Sequence, residues 1–294
     1  MDDIARLGYA PDVVCRQQNS GLLFARLAGL RLIHGRYVIF LDSDDLISPD
    51  KLRSQVAAMD REHADVSYTD SARCVLDGDY DSLRIDNDTP SAATQDPAEF
   101  YIQVQPAPHS PVFRSEYLQR IVAEPLFPPA ANYNCVAEIW FYHNAATRPA
   151  KVIKVPGPRS IIGVHSTGRL TGCWERLAAA SLAVMEAFAR GCPAGSAEAP
   201  ARQRVAEKAF VSWRRLPRGF SRDFDRRLLS VWRGLNRSRD PRPLGGSLFQ
   251  AVSRAAGPVA AGGFFRLLQN GPYSKCRTLD DAAFARIMQQ LPPP

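Results

Sequence analysis

The 294-residue chain is notable first for what it does not contain. No apolar run approaches the roughly 18 residues that would suggest a membrane span. Its six cysteines (Cys15, Cys74, Cys135, Cys173, Cys192 and Cys276) stand far apart, with no Cys-x-x-Cys pair. That spacing argues against zinc ribbons and disulfide scaffolds and for reduced thiols in a cytoplasm. The opening Met1-Asp2-Asp3 is acidic where a secretory leader would be basic and then apolar. There is no internal repeat and no long low-complexity tract. What remains is globular: 45% hydrophobic and 23% charged residues exclude global disorder. The length suits one large domain or two of ordinary size.

The net charge of +7 conceals an asymmetry. Residues 200–294 carry 18 Lys+Arg against 6 Asp+Glu, whereas the residues before them carry 19 against 24. The Pro/Gly/Ala-rich stretch 191–200 reads as the joint. The expected organisation is therefore an α/β domain over 1–190, a linker over 191–200, and a basic, mainly helical region over 201–294.

Within the first piece, strand and helix signals alternate. Leu22, Leu23, Leu27, Leu30 and Ile33 fall on one helical face, and Gly35 stands where a C-terminal cap glycine would. The run Tyr37-Val38-Ile39-Phe40-Leu41 predicts a strand covered on both sides. Ser48-Pro49 predicts the start of a helix over roughly 49–60. Asp65–Tyr68 predicts another strand, and this alternation implies an α/β sheet with parallel strands. Residues 76–97 read as an exposed loop. Helices are expected over Glu99–Val104, Ser115–Ile121 and Val136–Ala146, with short strands at Lys151–Val155 and Ile161–Val164. Beyond Trp174 the chain reads as helical, with breaks near 217, 241–246 and 257–263.

The Tyr37–Leu41 run stops in Asp42-Ser43-Asp44-Asp45. Carboxylates at the end of a central strand sit where open α/β sheets bind ligands. Two Asp side chains one residue apart can share a hard divalent cation, which would bridge a diphosphate and stabilise a departing nucleotide. The alternative is a solvated turn held by Asx hydrogen bonds.

The surrounding residues favour the first reading. From Gln18 to Leu52 the chain reads Gln-Asn-Ser-Gly-x-x-x-Ala-Arg-x-x-Gly, then His-Gly-Arg-Tyr-Val-Ile-Phe-Leu-Asp-Ser-Asp-Asp, then Ser-Pro-Asp-Lys-Leu. This closely resembles the family 2 glycosyltransferases of the GT-A fold, densely here and more loosely on to about Thr171. The resemblance implies a Rossmann-like, mostly parallel sheet with a helical C-terminal extension. It places Asp42 and Asp44 at the donor ribose and a metal-bound diphosphate, with Mg²⁺ or Mn²⁺ as the cation and Asp45 supporting the turn. Asn19, Gly21 and Arg26 would shape the donor pocket's floor, although Leu27 stands where the family usually has Asn. The family's first two strands find no counterpart, since Met1–Arg6 resembles the helix that follows them. An N-terminally truncated sheet is the expectation.

On the acceptor side, His109, Arg114 and Trp140 align with family segments, His109 reading equally as a loop histidine. A general base is needed because a sugar hydroxyl is a poor nucleophile at neutral pH. Ile139 stands where the family's Asp belongs, so Glu138 is either the base or only the residue that precedes it. Gly163 stands in place of a family Arg, leaving His165 as metal or phosphate contact or as a structural hydrogen-bonder. The resemblance implies an inverting transferase that moves a sugar from a nucleotide-diphosphate donor to a glycan or lipid-linked acceptor in surface-polysaccharide or glycoconjugate synthesis. Two alternatives stand beside it. One is a catalytically impaired remnant acting as a binding module. The other is a haloacid-dehalogenase-like phosphatase using Asp42 and Asp44.

Residues 202–239 interleave Arg with Trp213, Phe220, Phe224 and Trp232. A helical appendage with a solvated Arg face and inward aromatics ranks first, and peripheral membrane contact through this basic region second. Nucleic-acid binding ranks last, for want of any recognised module. The expected location is cytoplasmic, and at the inner face of the membrane in the second reading.

Overall fold

The computed structural model describes residues 13–75, 85–164 and 172–291. A curled sheet lies at its centre, built on two long neighbours, β3 (Val66–Val75) and β6 (Val152–Val164), which run parallel. The short strands β1 (Tyr37–Val38), β2 (Leu46–Ile47), β4 (Ile85–Thr89) and β5 (Val112–Arg114) complete it. The order is β1-β5-β3-β6-β2, with β4 pairing to β3 as well. The α/β class read from the sequence holds, but the strand directions do not: every described pairing except β3–β6 is antiparallel. The sequence pattern showed strand content without direction. The acidic turn joins β1 to β2, which lie at opposite ends of the strand order and pair with different partners, so their closeness in sequence carried no information on direction.

Several local expectations shift. The helix α1 (Leu22–Leu30) buries Leu23, Leu27 and Leu30 as its spacing demands, but ends before Gly35. The expected Tyr37–Leu41 strand pairs only at its first two residues, and Leu41 is exposed. The helix α2 (Lys51–Glu62) begins two residues after Pro49, with Asp50 as its cap residue. Part of the expected loop at 76–97 forms β4; residues 76–84 lie outside the described residues. The two short strands expected at 151–164 are one strand, β6, whose register against β3 slips between Thr69 and Ser71. Gly157 in this bulge has φ +97 and donates its amide to Asp70 Oδ2 at 3.1 Å. Asp70 also accepts from Ser91 N and contacts Lys154 Nζ at 2.7 Å. Burial pushes its carboxyl up, but these partners outweigh it and hold it below the ordinary range.

A helical turn at Pro97–Glu99 runs into Phe100–Val104, and α3 (Ser115–Ala123) follows β5. A 3₁₀ turn at Ala131–Val136 leads into α4 (Ala137–Ala145). The remainder is helical: α5 (Trp174–Gly191), α6 (Ala199–Arg215), α7 (Arg222–Leu235), α8 (Ser247–Ala256), α9 (Pro258–Gln269) and α10 (Asp281–Gln289). The aromatics interleaved with Arg point inward: Trp213, Phe220, Phe224 and Trp232 are all buried. Of the glycines at 257–263, only Gly257 breaks a helix. Gly262 lies inside α9, where a Cβ would come within 2.4 Å of the Trp213 ring, so its small size permits the contact between α9 and α6. One hydrophobic cluster runs from Leu23 through Tyr68 and Trp140 to Phe210, Trp232 and Leu291. A buried ion pair, Arg227 to Glu186 at 2.5 and 2.7 Å, clips α7 to α5.

Beneath the sheet, α2 turns a lysine inward. Lys51 is fully buried and donates to Gln55 Oε1, Ser110 O and Ser160 Oγ at 2.5, 2.9 and 3.0 Å. Desolvation, with Arg159 adding to it, pushes its pKa from 10.5 down to about 7. Between those values the unfolded chain binds more protons than the folded one, so raising the pH through this window stabilises the fold; the gain is absent below about 7. Denaturant titrations from pH 7 to 9 should show wild-type stability rising relative to Lys51→Met, by at most about 1.4 kcal/mol per pH unit. Parallel pH profiles for the two proteins would refute the assignment.

Candidate functional site

The acidic turn is a closed one: Asp45 N donates to Asp42 O at 3.2 Å. It joins β1 to β2, and β2 pairs with β6, so the turn is carried against the end of a long strand. Asp45 fastens it. Its Oδ1 accepts from Gly163 N at 3.0 Å, and its Oδ2 lies 2.8 Å from His109 Nδ1. His109 is completely buried, so it braces the turn from within the protein.

From the opposite side α1 delivers Arg26, whose side chain is only 6% exposed. Its Nη2 donates to both oxygens of Asp42, at 2.8 and 3.0 Å. Its Nη1 lies 3.8 Å from Glu138 Oε2, and the guanidinium sits 5.3 Å from the centre of the Phe40 ring. Nε and Nη1 are buried without a hydrogen-bond acceptor among the described residues. Two buried cationic donors lacking acceptors are costly in isolation and are suited to an incoming anion. Glu138, in the first turn of α4, is half-buried. Desolvation pushes its carboxyl up and Asp42 adds to this, against a downward pull from its own amide and from Arg26.

The N-terminus of α1 is held by a residue 111 positions away. Asn134 Oδ1 accepts from Leu23 N at 3.1 Å, and its Nδ2 donates to Ser20 O at 2.9 Å. Asn19 Oδ1 accepts from Gly21 N at 3.1 Å, and Gly21 takes φ +92, a conformation that disfavours any side chain. A Cβ at Gly21 would also strike the Asn134 side chain at 2.2 Å.

The residues expected from the sequence thus divide. Arg26, Asp42, Asp45 and Glu138 come together; Asn19 and Gly21 shape the start of the helix that carries Arg26; Asp44 sits half-buried in the turn. Three expected on the acceptor side are not gathered around an open cleft. His109 is internal. Arg114 donates to Ala64 O and lies 5.3 Å from the centre of the Tyr37 ring. Trp140 is fully buried between Phe127 and Phe141, because two positions on from Glu138 lies a different face of α4. His165 lies outside the described residues. Among the described residues no group of three or more His, Cys, Asp or Glu is assembled to hold a metal. Sequence reasoning missed Asn134, Phe40 and Lys51, whose roles depend on distant partners and leave no local signature.

Comparison with known proteins bears on this geometry directly. Residues 4–121 match the family model for Glycosyl transferase family 2. An uncharacterized glycosyltransferase of Haemophilus influenzae is 41% identical over 65 residues, covering 22% of this chain and 26% of its own. The Bacillus subtilis glycosyltransferase TuaG, provisionally assigned to teichuronic acid biosynthesis, is 41% identical over 66 residues, again 22% and 26% of the two chains. The matched segment therefore spans about a quarter of each curated relative. Among solved structures, S. aureus TarS (1-349) in complex with UDP-GlcNAc aligns with a TM-score of 0.57 at 14% identity, covering 95% of this chain and 80% of that one. The same portion of TarS without that ligand aligns at 0.52.

The fold is thus that of the GT-A glycosyltransferases, mixed α/β with a curled sheet and a helical C-terminal part. Within it, the segment similar to the Glycosyl transferase family 2 model, residues 4–121, contains Arg26 and the acidic turn.

The Asn134 contact yields a test. Asn134→Ala should cost about 0.5–2 kcal/mol, as for loss of a helix cap. Gly21→Ala should cost less in the Asn134→Ala background than in wild type, because the clash is gone and only the backbone strain remains. Additive losses in thermal or denaturant unfolding would show that the two residues do not interact.

Proposed function

We propose that this protein transfers a sugar from a nucleotide-diphosphate donor to a hydroxyl of a glycan or lipid-linked acceptor during cell-surface polysaccharide or glycoconjugate synthesis. The observation that carries this reading is Arg26. It is buried between Asp42 and Glu138, with two donor nitrogens lacking acceptors among the described residues, inside the segment that matches family 2. The similarity to TarS bound to UDP-GlcNAc supports a UDP-linked donor, and that to TuaG supports a cell-surface polysaccharide as product.

In this reading Arg26 offers Nε and Nη1 toward the donor's anionic groups while Asp42 keeps the guanidinium oriented. The oxygen donors of Asp42 and Asp44 fit a hard divalent cation such as Mg²⁺ or Mn²⁺. Both would hold it, Asp42 while also accepting from Arg26. The ion, when bound, offsets the charge on the diphosphate as it departs. Glu138 removes the acceptor hydroxyl's proton while that oxygen attacks the anomeric carbon. The carbon–oxygen bond to the diphosphate breaks, its electron pair leaving with the nucleotide, and the configuration inverts. A carboxylate whose pKa is raised by burial is a stronger base for this step than an exposed one. A phosphatase nucleophile at Asp42 is disfavoured, because Arg26 occupies both of its oxygens.

Glu138 must be ionised to act, so turnover should fall as the pH drops through its raised pKa, at higher pH than for an ordinary glutamate. Glu138→Gln should lower kcat by about 10²–10⁴-fold with little change in KM for the donor. Asp44→Ala should abolish Mn²⁺-dependent binding of UDP-sugar by calorimetry. Full turnover in Glu138→Gln would remove the base; unaltered Mn²⁺-dependent binding in Asp44→Ala would remove the metal ligand.

A further inference from the structure

One helix of the C-terminal part is apolar on both of its faces. The inner face of α9 is fixed: Gly262 lies against Trp213, Phe265 packs on Phe249 of α8, and Arg266 pairs with Asp225 at 2.8 Å. Arg266 also donates to Leu216 O and Pro217 O. The rotation of α9 about its axis is therefore set, and its outer face carries Phe264, Leu267 and Leu268, exposed by 50%, 64% and 66%. Their i, i+3, i+4 spacing makes one stripe. Leu248 on α8, which packs against α9, is 66% exposed as well. An apolar cluster of this kind on a surface marks a contact site, whereas scattered single residues would not.

Charge selects the partner. From Pro241 to Leu279 the sequence contains no Asp or Glu, but contains Arg242, Arg254, Arg266, Lys275 and Arg277. Arg254 and Lys275 are exposed. Arg218, also exposed, is brought beside the end of α9 by its backbone bonds to Gly271 and Tyr273. Arg266, Arg242 and Arg277 pair with Asp225, Asp240 and Asp281. Exposed Phe and Leu accompanied by the remaining cations Arg218, Arg254 and Lys275 match an anionic lipid surface, where apolar side chains enter the acyl boundary and cations meet headgroups. A second copy of this chain would bring like charges together across a two-fold interface. No helix among the described residues is long and apolar enough to cross a membrane, so the contact would be peripheral.

We propose that the outer face of α8 and α9 (Leu248, Phe264, Leu267 and Leu268, flanked by Arg218, Arg254 and Lys275) docks the protein on an anionic lipid bilayer. The face is remote in sequence from Arg26 and Asp42, and the proposal stands independently of sugar transfer. The test is flotation of the purified full chain with vesicles of phosphatidylcholine alone or mixed with phosphatidylglycerol, at low and high salt.

The wild type should partition onto the mixed vesicles, less so at high salt, and only weakly onto phosphatidylcholine. Phe264→Ser/Leu267→Ser/Leu268→Ser should lower that partitioning by about tenfold or more, with its melting temperature unchanged because the side chains are exposed. Should that variant melt lower, Arg218→Glu/Lys275→Glu decides the matter: it should lose binding to the mixed vesicles while keeping its fold. Absence of wild-type binding to the mixed vesicles would overturn the proposal. So would equal binding by wild type and a folded variant, or a concentration-dependent dimer in sedimentation that the triple substitution dissociates.

Discussion

The guanidinium of Arg26 is the point on which this structure turns. A cation that is 6% exposed must be surrounded by anions or π-faces, and here the anions are also the chemically interesting groups. Asp42 gives both oxygens, Glu138 approaches from α4, and Phe40 lies beneath. One side chain thereby ties α1, the acidic turn and α4 into a single electrostatic unit. The rest of the local structure serves to place those three. Asn134 fixes the start of α1, the His109–Asp45 contact and the Gly163 amide fix the turn, and the aromatic packing of Trp140 fixes α4.

That arrangement explains which parts were legible in the sequence. α1 announced itself through the spacing of Leu23, Leu27 and Leu30, because a helix burying one face leaves a periodic trace. The acidic turn was legible because three carboxylates in four residues are unusual after an apolar run. Strand direction was not legible. A two-residue strand such as β1 has no pattern from which to infer a partner, and the antiparallel β1–β5 pairing joins residues 37–38 to 113–114. β6 was read as two strands because Pro156-Gly157-Pro158 looks like a break, whereas Asp70 on β3 converts it into a bulge. His109 and Trp140 were expected to face an acceptor and proved to be interior. A residue type states what a side chain can do, and burial decides whether it can reach anything.

The helical part shows the same division of labour between composition and context. An Arg-rich, aromatic-rich stretch admits several readings as a sequence. Once folded, its aromatics are spent on the interior, Arg227 on Glu186 and Arg266 on Asp225. The basic excess of this half is therefore smaller at the surface than in the count, and the cations that remain outside acquire meaning from the exposed leucines beside them.

The Asn134 clasp also constrains the order in which the chain can mature. The turn at residues 19–23 is completed by a side chain 111 positions downstream. During synthesis the first described helix therefore leaves the ribosome without its cap, which at about 5–20 residues per second is made roughly 5–20 s later. Residue 138 is made only four positions after that clasp, so the carboxylate that faces Arg26 becomes available at nearly the same moment. The start of α1 and the acidic neighbour of Arg26 are thus finished together, and an early nascent chain holds neither.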